Sequence, residues 1–72
     1  MRLYVGMKFK PLMEPDSHGE CLSLSQGRFT YRWFSATGEP EVQIHDMKIS
    51  EAVDCFELYG WVVLSDLEKE LI

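Results

Sequence analysis

Apolar and polar residues alternate along the first segment of the chain. Leu3, Val5, Met7 and Phe9 fall on one face, and Arg2, Tyr4, Lys8 and Lys10 on the other. A period of two predicts a strand with one buried face. Gly6 inside this run predicts a bulge or a bend. Pro11 has no N–H to donate and stops the ladder. Residues 11–19 hold prolines, Asp, Ser and Gly, and predict a surface loop.

Glu20 to Ser25 and Arg28 to Ser35 predict a hairpin about Gln26-Gly27. If Ser25 faces Arg28 across the turn, Leu24 pairs with Phe29, Leu22 with Tyr31 and Glu20 with Trp33. That register puts Leu22, Leu24, Phe29, Tyr31 and Trp33 on one face. Cys21, Ser23, Ser25, Arg28, Thr30, Arg32 and Phe34 take the opposite face. Residues 36–40 form a second turn. Glu41 to His45 then predict a fourth strand with Val42 and Ile44 inward.

From Ser50 the period becomes helical, with Ala52, Val53, Phe56 and Tyr59 on the apolar side. Ser50 is the expected N-cap, Glu51 suits the first turn, and Gly60 can end the helix in a left-handed conformation. Trp61 to Leu64 read as a short apolar strand. Ser65-Asp66-Leu67-Glu68 is a capping-box pattern that would start a short helix over Asp66 to Leu71. The expected core is Val5, Met7, Leu22, Leu24, Phe29, Tyr31, Trp33, Val42, Ile44, Val53, Phe56 and Val62.

The predicted fold is mainly β. It is a small, five-stranded, partly open barrel (1–65) with a short helix before the last strand, followed by a short C-terminal helix or tail (66–72). Four segments carry a resemblance: Gly6-Met7-Lys8-Phe9, the hairpin Arg28-Phe29-Thr30-Tyr31-Arg32-Trp33, Val42-Gln43-Ile44, and the ending Phe56 to Leu64. Together they resemble the small SH3-like barrel domains found in short open reading frames of phages and mobile elements. Such domains share a fold but no common chemistry. Val42-Gln43-Ile44-His45 is also similar to the V-Q-I-Y strand of the plasmid-borne type II dihydrofolate reductases, themselves SH3-like. That resemblance implies a tetrameric reductase in which Gln43, Ile44 and His45 would contact folate and NADPH. The sequence departs from that family in two respects: His45 stands where the family has Tyr, and Pro11 where it has a Lys.

Size and charge narrow the function. A chain of 72 residues, 46% apolar and with nine aromatic residues, has the material for one small core. The longest apolar run, Trp61 to Leu64, is far short of the about 20 residues a membrane helix needs. Lys8 and Lys10 interrupt the only candidate signal segment. A cytoplasmic domain that does not engage a membrane is the expectation. The net charge is −5 and unevenly placed. In residues 1–36, Arg2, Lys8, Lys10, Arg28 and Arg32 outnumber Glu14, Asp16 and Glu20. In residues 37–72, Lys48 and Lys69 face nine acids, a balance of −7. So thin a basic footprint speaks against a nucleic-acid partner, although an SH3-like nucleic-acid module remains the alternative. The acidic half would attract a basic protein surface.

The candidate chemistry is sparse. His18, Cys21, His45 and Cys55 have the donor types of a zinc site, but only His18 and Cys21 are closely spaced. Neither thiol has a cationic neighbour in the sequence to activate it. Glu39 and Glu41 flank Pro40 in a turn where nothing would shift a carboxylate pKa. No phosphate loop or nucleophile elbow is present. The expectation is therefore a non-enzymatic domain without metal or cofactor. Two surfaces stand out for partner binding. Glu51, Asp54 and Glu57 recur at helical spacing with no cation between them, and Arg32 with Phe34 has the composition of an interface hot spot. The expected function is a small acidic protein-interaction module, an accessory or inhibitory factor of a phage or mobile element that binds a basic host protein. Self-association is left open.

Overall fold

The computed structural model describes residues 2–13 and 16–64. Five strands and one helix follow in the order β1 (Lys8–Pro11), β2 (His18–Ser23), β3 (Arg28–Phe34), β4 (Pro40–Lys48), α1 (Ile49–Glu57) and β5 (Trp61–Val63). The strands form one antiparallel sheet in the order β4-β3-β2-β1-β5, with β4 and β5 as open edges. The mainly β class and the helix ahead of the last strand are as the sequence predicts. The short helix expected over Asp66 to Leu71 lies outside the described residues.

The first strand is shorter than its alternation suggests. Gly6 adopts a positive φ of 89°, which turns the chain at Val5-Gly6. Pairing with β2 begins there, as Gly6 N–H donates to Cys21 O (2.8 Å) and Cys21 N–H to Met7 O (2.9 Å). Met7 and Phe9 are buried and Leu3 packs against the core, but Val5 is exposed, contrary to expectation.

The hairpin turn forms at Gln26-Gly27, with positive φ at both residues (55° and 73°) and Arg28 N–H donating to Ser25 O at 3.0 Å. Two successive left-handed residues define the turn whose twist matches that of paired strands. The expected register holds as far as Ser23 opposite Thr30 and then shifts by one, so that Cys21 faces Tyr31 and Gly19 faces Trp33. Leu22 is the bulged residue and is exposed, whereas Cys21 is buried. Both therefore exchange faces relative to the sequence reading. The unbroken register would have turned the carboxylate of Glu20 inward opposite Trp33, a costly burial without a partner. The bulge replaces it with Gly19, over which the ring of Phe9 packs.

A second correction concerns β4. Tyr31 pairs with His45 and Phe29 with Met47, so these two β4 residues share the core side. Ile44 is opposite Arg32 on the outer side, and Val42 is 97% exposed. Between the Arg32–Ile44 and Phe34–Pro40 pairs, Glu41, Val42 and Gln43 all lie opposite Trp33, which breaks the regular pairing of the edge strand. Val42 and Ile44 are thus not core residues. The apolar alternation of β4 continues on the other parity through Met47 to Ile49.

Phe9 is the centre of the core. Its ring stacks on Trp61 (4.9 Å between centroids, 19°) and meets Phe29, Tyr31, Trp33 and Phe56 at 5.4–5.8 Å. Such tilted and edge-on pairs add to the area the rings bury. Trp61 and Val63 flank Val62, which pairs with Lys10 on the outer side and so is not in the core. Fully buried Ala52 faces the sheet from α1 and allows the helix to approach closely.

α1 begins two residues earlier than the expected N-cap at Ser50 implies. Lys48 is its N-cap, without a side-chain capping bond, and Ser50 lies inside the first turn. β4 runs directly into the helix. Ile49 N–H, free of any intrahelical partner at this position, donates to Gly27 O of the hairpin turn at 3.0 Å. Gly60 (φ 82°) ends the segment, after Leu58 and Tyr59 have both donated to Asp54 O.

Candidate surface for partner binding

The position of Ala52 and Phe56 against the sheet fixes the rotation of α1. Glu51, Asp54 and Glu57 are accordingly exposed on its outward side. At about 100° per residue, Leu58 falls on the stripe of Glu51 and Asp54. Its amide bond to Asp54 O (2.7 Å) keeps it in helical sequence, and it is 69% exposed. The acidic stripe therefore runs into a solvent-facing leucine.

The segment that follows this leucine is tied to β1. β5 returns beside β1 with Trp61 opposite Pro11, and Leu12 N–H donates to Gly60 O at 2.8 Å. These contacts tie the backbone at the start of the β1–β2 loop to the segment that links α1 to β5. Met13 is 89% exposed and Tyr59 72%. Tyr59, expected on the apolar helix side, lies beyond the last helical residue and turns outward. Nothing in the spacing of Leu12-Met13 and Leu58-Tyr59 pairs them, since the link depends on a long-range strand pairing.

Arg32 and Phe34 lie on the other side of the sheet. Arg32 is flanked across the strands by Glu20 and Ile44, and Glu20 in turn by Lys8. The Arg32 Nε is buried and has no hydrogen-bond partner. Phe34 stacks flat on His18 (5.0 Å, 4°), its cross-strand neighbour. The two surfaces singled out in the sequence are therefore separated by the sheet. Arg28, also on the hairpin, pairs with Asp46 at 2.8 Å.

The remaining candidates are dispersed. Cys21 is on the core side while His18 is on the outer side, so the one close pair of potential ligands diverges. Among the described residues no three His, Cys, Asp or Glu side chains are grouped to hold a metal ion. Both cysteines are free thiols. Burial pushes the pKa of Cys21 up, offset in part by a backbone hydrogen bond with Ser23 and reinforced by Glu20. Burial also raises that of Cys55, helped by Asp54 and Glu51. A protonated thiol is a poor nucleophile. Val42, Gln43 and Ile44 are exposed on the edge strand, whereas His45 turns inward and stacks on Tyr31 at 5.4 Å. Among the described residues, no helix is long and apolar enough to cross a membrane. No family model, curated protein or solved structure matches the chain.

Proposed function

We propose that this protein is a small SH3-like module that binds another protein through the acidic face of α1. It would serve as an accessory or inhibitory factor of the phage or mobile-element type. The antiparallel order β4-β3-β2-β1-β5, with the last strand back beside the first, supports a partly open barrel of that kind. The observation that carries the function is the outward exposure of Glu51, Asp54 and Glu57 along one side of a helix whose other side is packed on the sheet. Carboxylates held in a row on a rigid element project a directional negative field, and a basic surface is its complement. Arg32 and Phe34 form a second, separate contact surface in this reading.

Affinity capture from a host lysate at low and high salt, with the wild type and with Glu51→Lys/Asp54→Lys/Glu57→Lys as baits, tests the proposal. A basic protein held by the wild type at low salt, released at high salt and not held by the reversal is the expected result. Equal capture by both baits would refute it.

A further inference from the structure

The pairing register gathers onto one face of the sheet cations that the sequence spreads over residues 8–48. Directly paired residues of an antiparallel sheet share a face, and so do residues two apart on one strand. Lys8 pairs with Glu20, Glu20 with Arg32 and Arg32 with Ile44, a row that crosses four strands on the side away from the core and α1. Lys10, opposite Val62, and Arg28, opposite Lys48, lie on the same side. This face therefore holds five of the six Lys and Arg side chains among the described residues. Glu20 and Asp46 are the acids at its paired positions, and Arg28 takes up Asp46 at 2.8 Å. The face carries a balance of +3 on a chain whose net charge is −5.

Charge complementarity selects the occupant. Cations set out over four strands, with the backbones at Lys8 and Arg32 roughly 10 Å apart, suit an anion that repeats along its length. His18 and Phe34 are a cross-strand pair on the same face, and their rings stack (5.0 Å, 4°) two residues from Glu20 and Arg32. Cations beside aromatic rings are the means by which proteins hold phosphates and unstacked bases together. A carboxylate-rich protein segment uses the cations alone, and a duplex keeps its bases stacked away from the rings. The acidic row does not cancel the face. α1, about 10–12 Å across with its side chains, lies between the two, and the Debye length is about 8 Å at physiological ionic strength. We infer that the outer face of the sheet binds single-stranded nucleic acid, with phosphates on Lys8, Lys10, Arg32 and Lys48 and bases against His18 and Phe34. Arg32 and Phe34 then serve a ligand of their own, and a basic protein on α1 does not compete for them.

End-labelled oligothymidylate and oligouridylate of about 12 nucleotides serve as probes, one for DNA and one for RNA. Anisotropy measures their binding to the full chain from about 0.02 to 0.3 M salt, and amide shifts in the NMR spectrum locate the contact. At least one probe should bind at low salt and shift Lys8, Lys10, His18, Arg32, Phe34 and Lys48 while leaving Glu51 and Asp54 in place. The tighter of the two identifies the preferred sugar. Lys8→Gln/Lys10→Gln/Lys48→Gln should keep the wild-type fold in the NMR spectrum and weaken binding at least about tenfold at low salt. It should also make the slope of log K against log salt shallower by about 2, since each phosphate contact on a single strand contributes about 0.7. With the wild type, an abasic phosphodiester strand, a duplex and a polyglutamate of matched length should each bind at least about fivefold more weakly than the single strand. No binding of either probe at the lowest salt, shifts confined to another surface, or a folded triple variant that binds as the wild type does would overturn the site. Equal binding of the abasic strand or the duplex would overturn the contact with bases. Equal binding of polyglutamate would replace the proposed occupant with an acidic protein segment.

Discussion

Gly19 shows how narrowly one position can be set. A Cβ built there would lie 2.6 Å from Cε2 and Cζ of Phe9. The Phe9 ring cannot yield easily, because Phe29, Tyr31, Trp33, Phe56 and Trp61 surround it. Gly19→Ala should therefore cost about 1–3 kcal/mol in urea unfolding, the usual price of overpacking a filled core. The same change made in a Phe9→Leu background should cost clearly less, since the clashing atoms are gone, and a double-mutant cycle reads the difference. The two thiols, Cys21 buried and Cys55 half-buried, make a second residue-scale prediction. The folded-state pKa values of Cys21 and Cys55 are raised above their ordinary 9.0, and that of Tyr31 above its ordinary 10.0, in each case chiefly by burial. Below those ordinary values all three groups are protonated in both states and pH has no leverage through them. Above pH 9 the unfolded thiols lose protons first, so stability should fall as pH rises through the folded-state values. Cys21→Ala/Cys55→Ala should flatten the first part of that decline in pH-dependent melts.

At the scale of elements, the β2–β3 hairpin separates two registers by one residue. In the observed register Leu22 bulges outward and Cys21 is inside. Leu22→Ser should change stability by only about 0.5 kcal/mol, as exposed substitutions do. Cys21→Ser, which buries a hydroxyl, should cost about 1–3 kcal/mol. The unbroken register predicts the reverse ranking in denaturant melts. The turn at Gln26-Gly27 and the pairs nearest it were legible from the sequence because they depend on local spacing. The bulge was not, because its cause is Phe9, which reaches Gly19 from another strand. β4 failed for a related reason. Its apolar pattern offers Val42 and Ile44 on one parity and Met47 and Ile49 on the other. Only the pairing with Phe29 and Tyr31, and the direct passage into α1, selects the second. The outward row of Glu51, Asp54 and Glu57 was legible because a helix with Ala52 and Phe56 inside leaves them no other side. The tie between the end of β1 and the segment after α1 was not legible, since it depends on the return of β5 to β1.

Over the whole molecule, charge and apolar exposure have a direction that the net value of −5 conceals. The acidic row lies on the outward side of α1, while Lys8 and Arg32 flank Glu20 on the far side of the sheet. If the excess of acids served only to keep the chain dispersed, its placement would not matter to any partner. If the row on α1 is the binding face, association should depend on those three positions and on salt. Stopped-flow association of the captured partner with the wild type and with Glu51→Lys/Asp54→Lys/Glu57→Lys, at ionic strengths from about 0.02 to 0.3 M, decides between these directly. The wild-type rate constant should be about tenfold or more above that of the reversal at low salt and should fall towards it as salt is raised, because steering by complementary charge is screened. Rate constants that coincide at every salt concentration would contradict the acidic face of α1 as the binding surface.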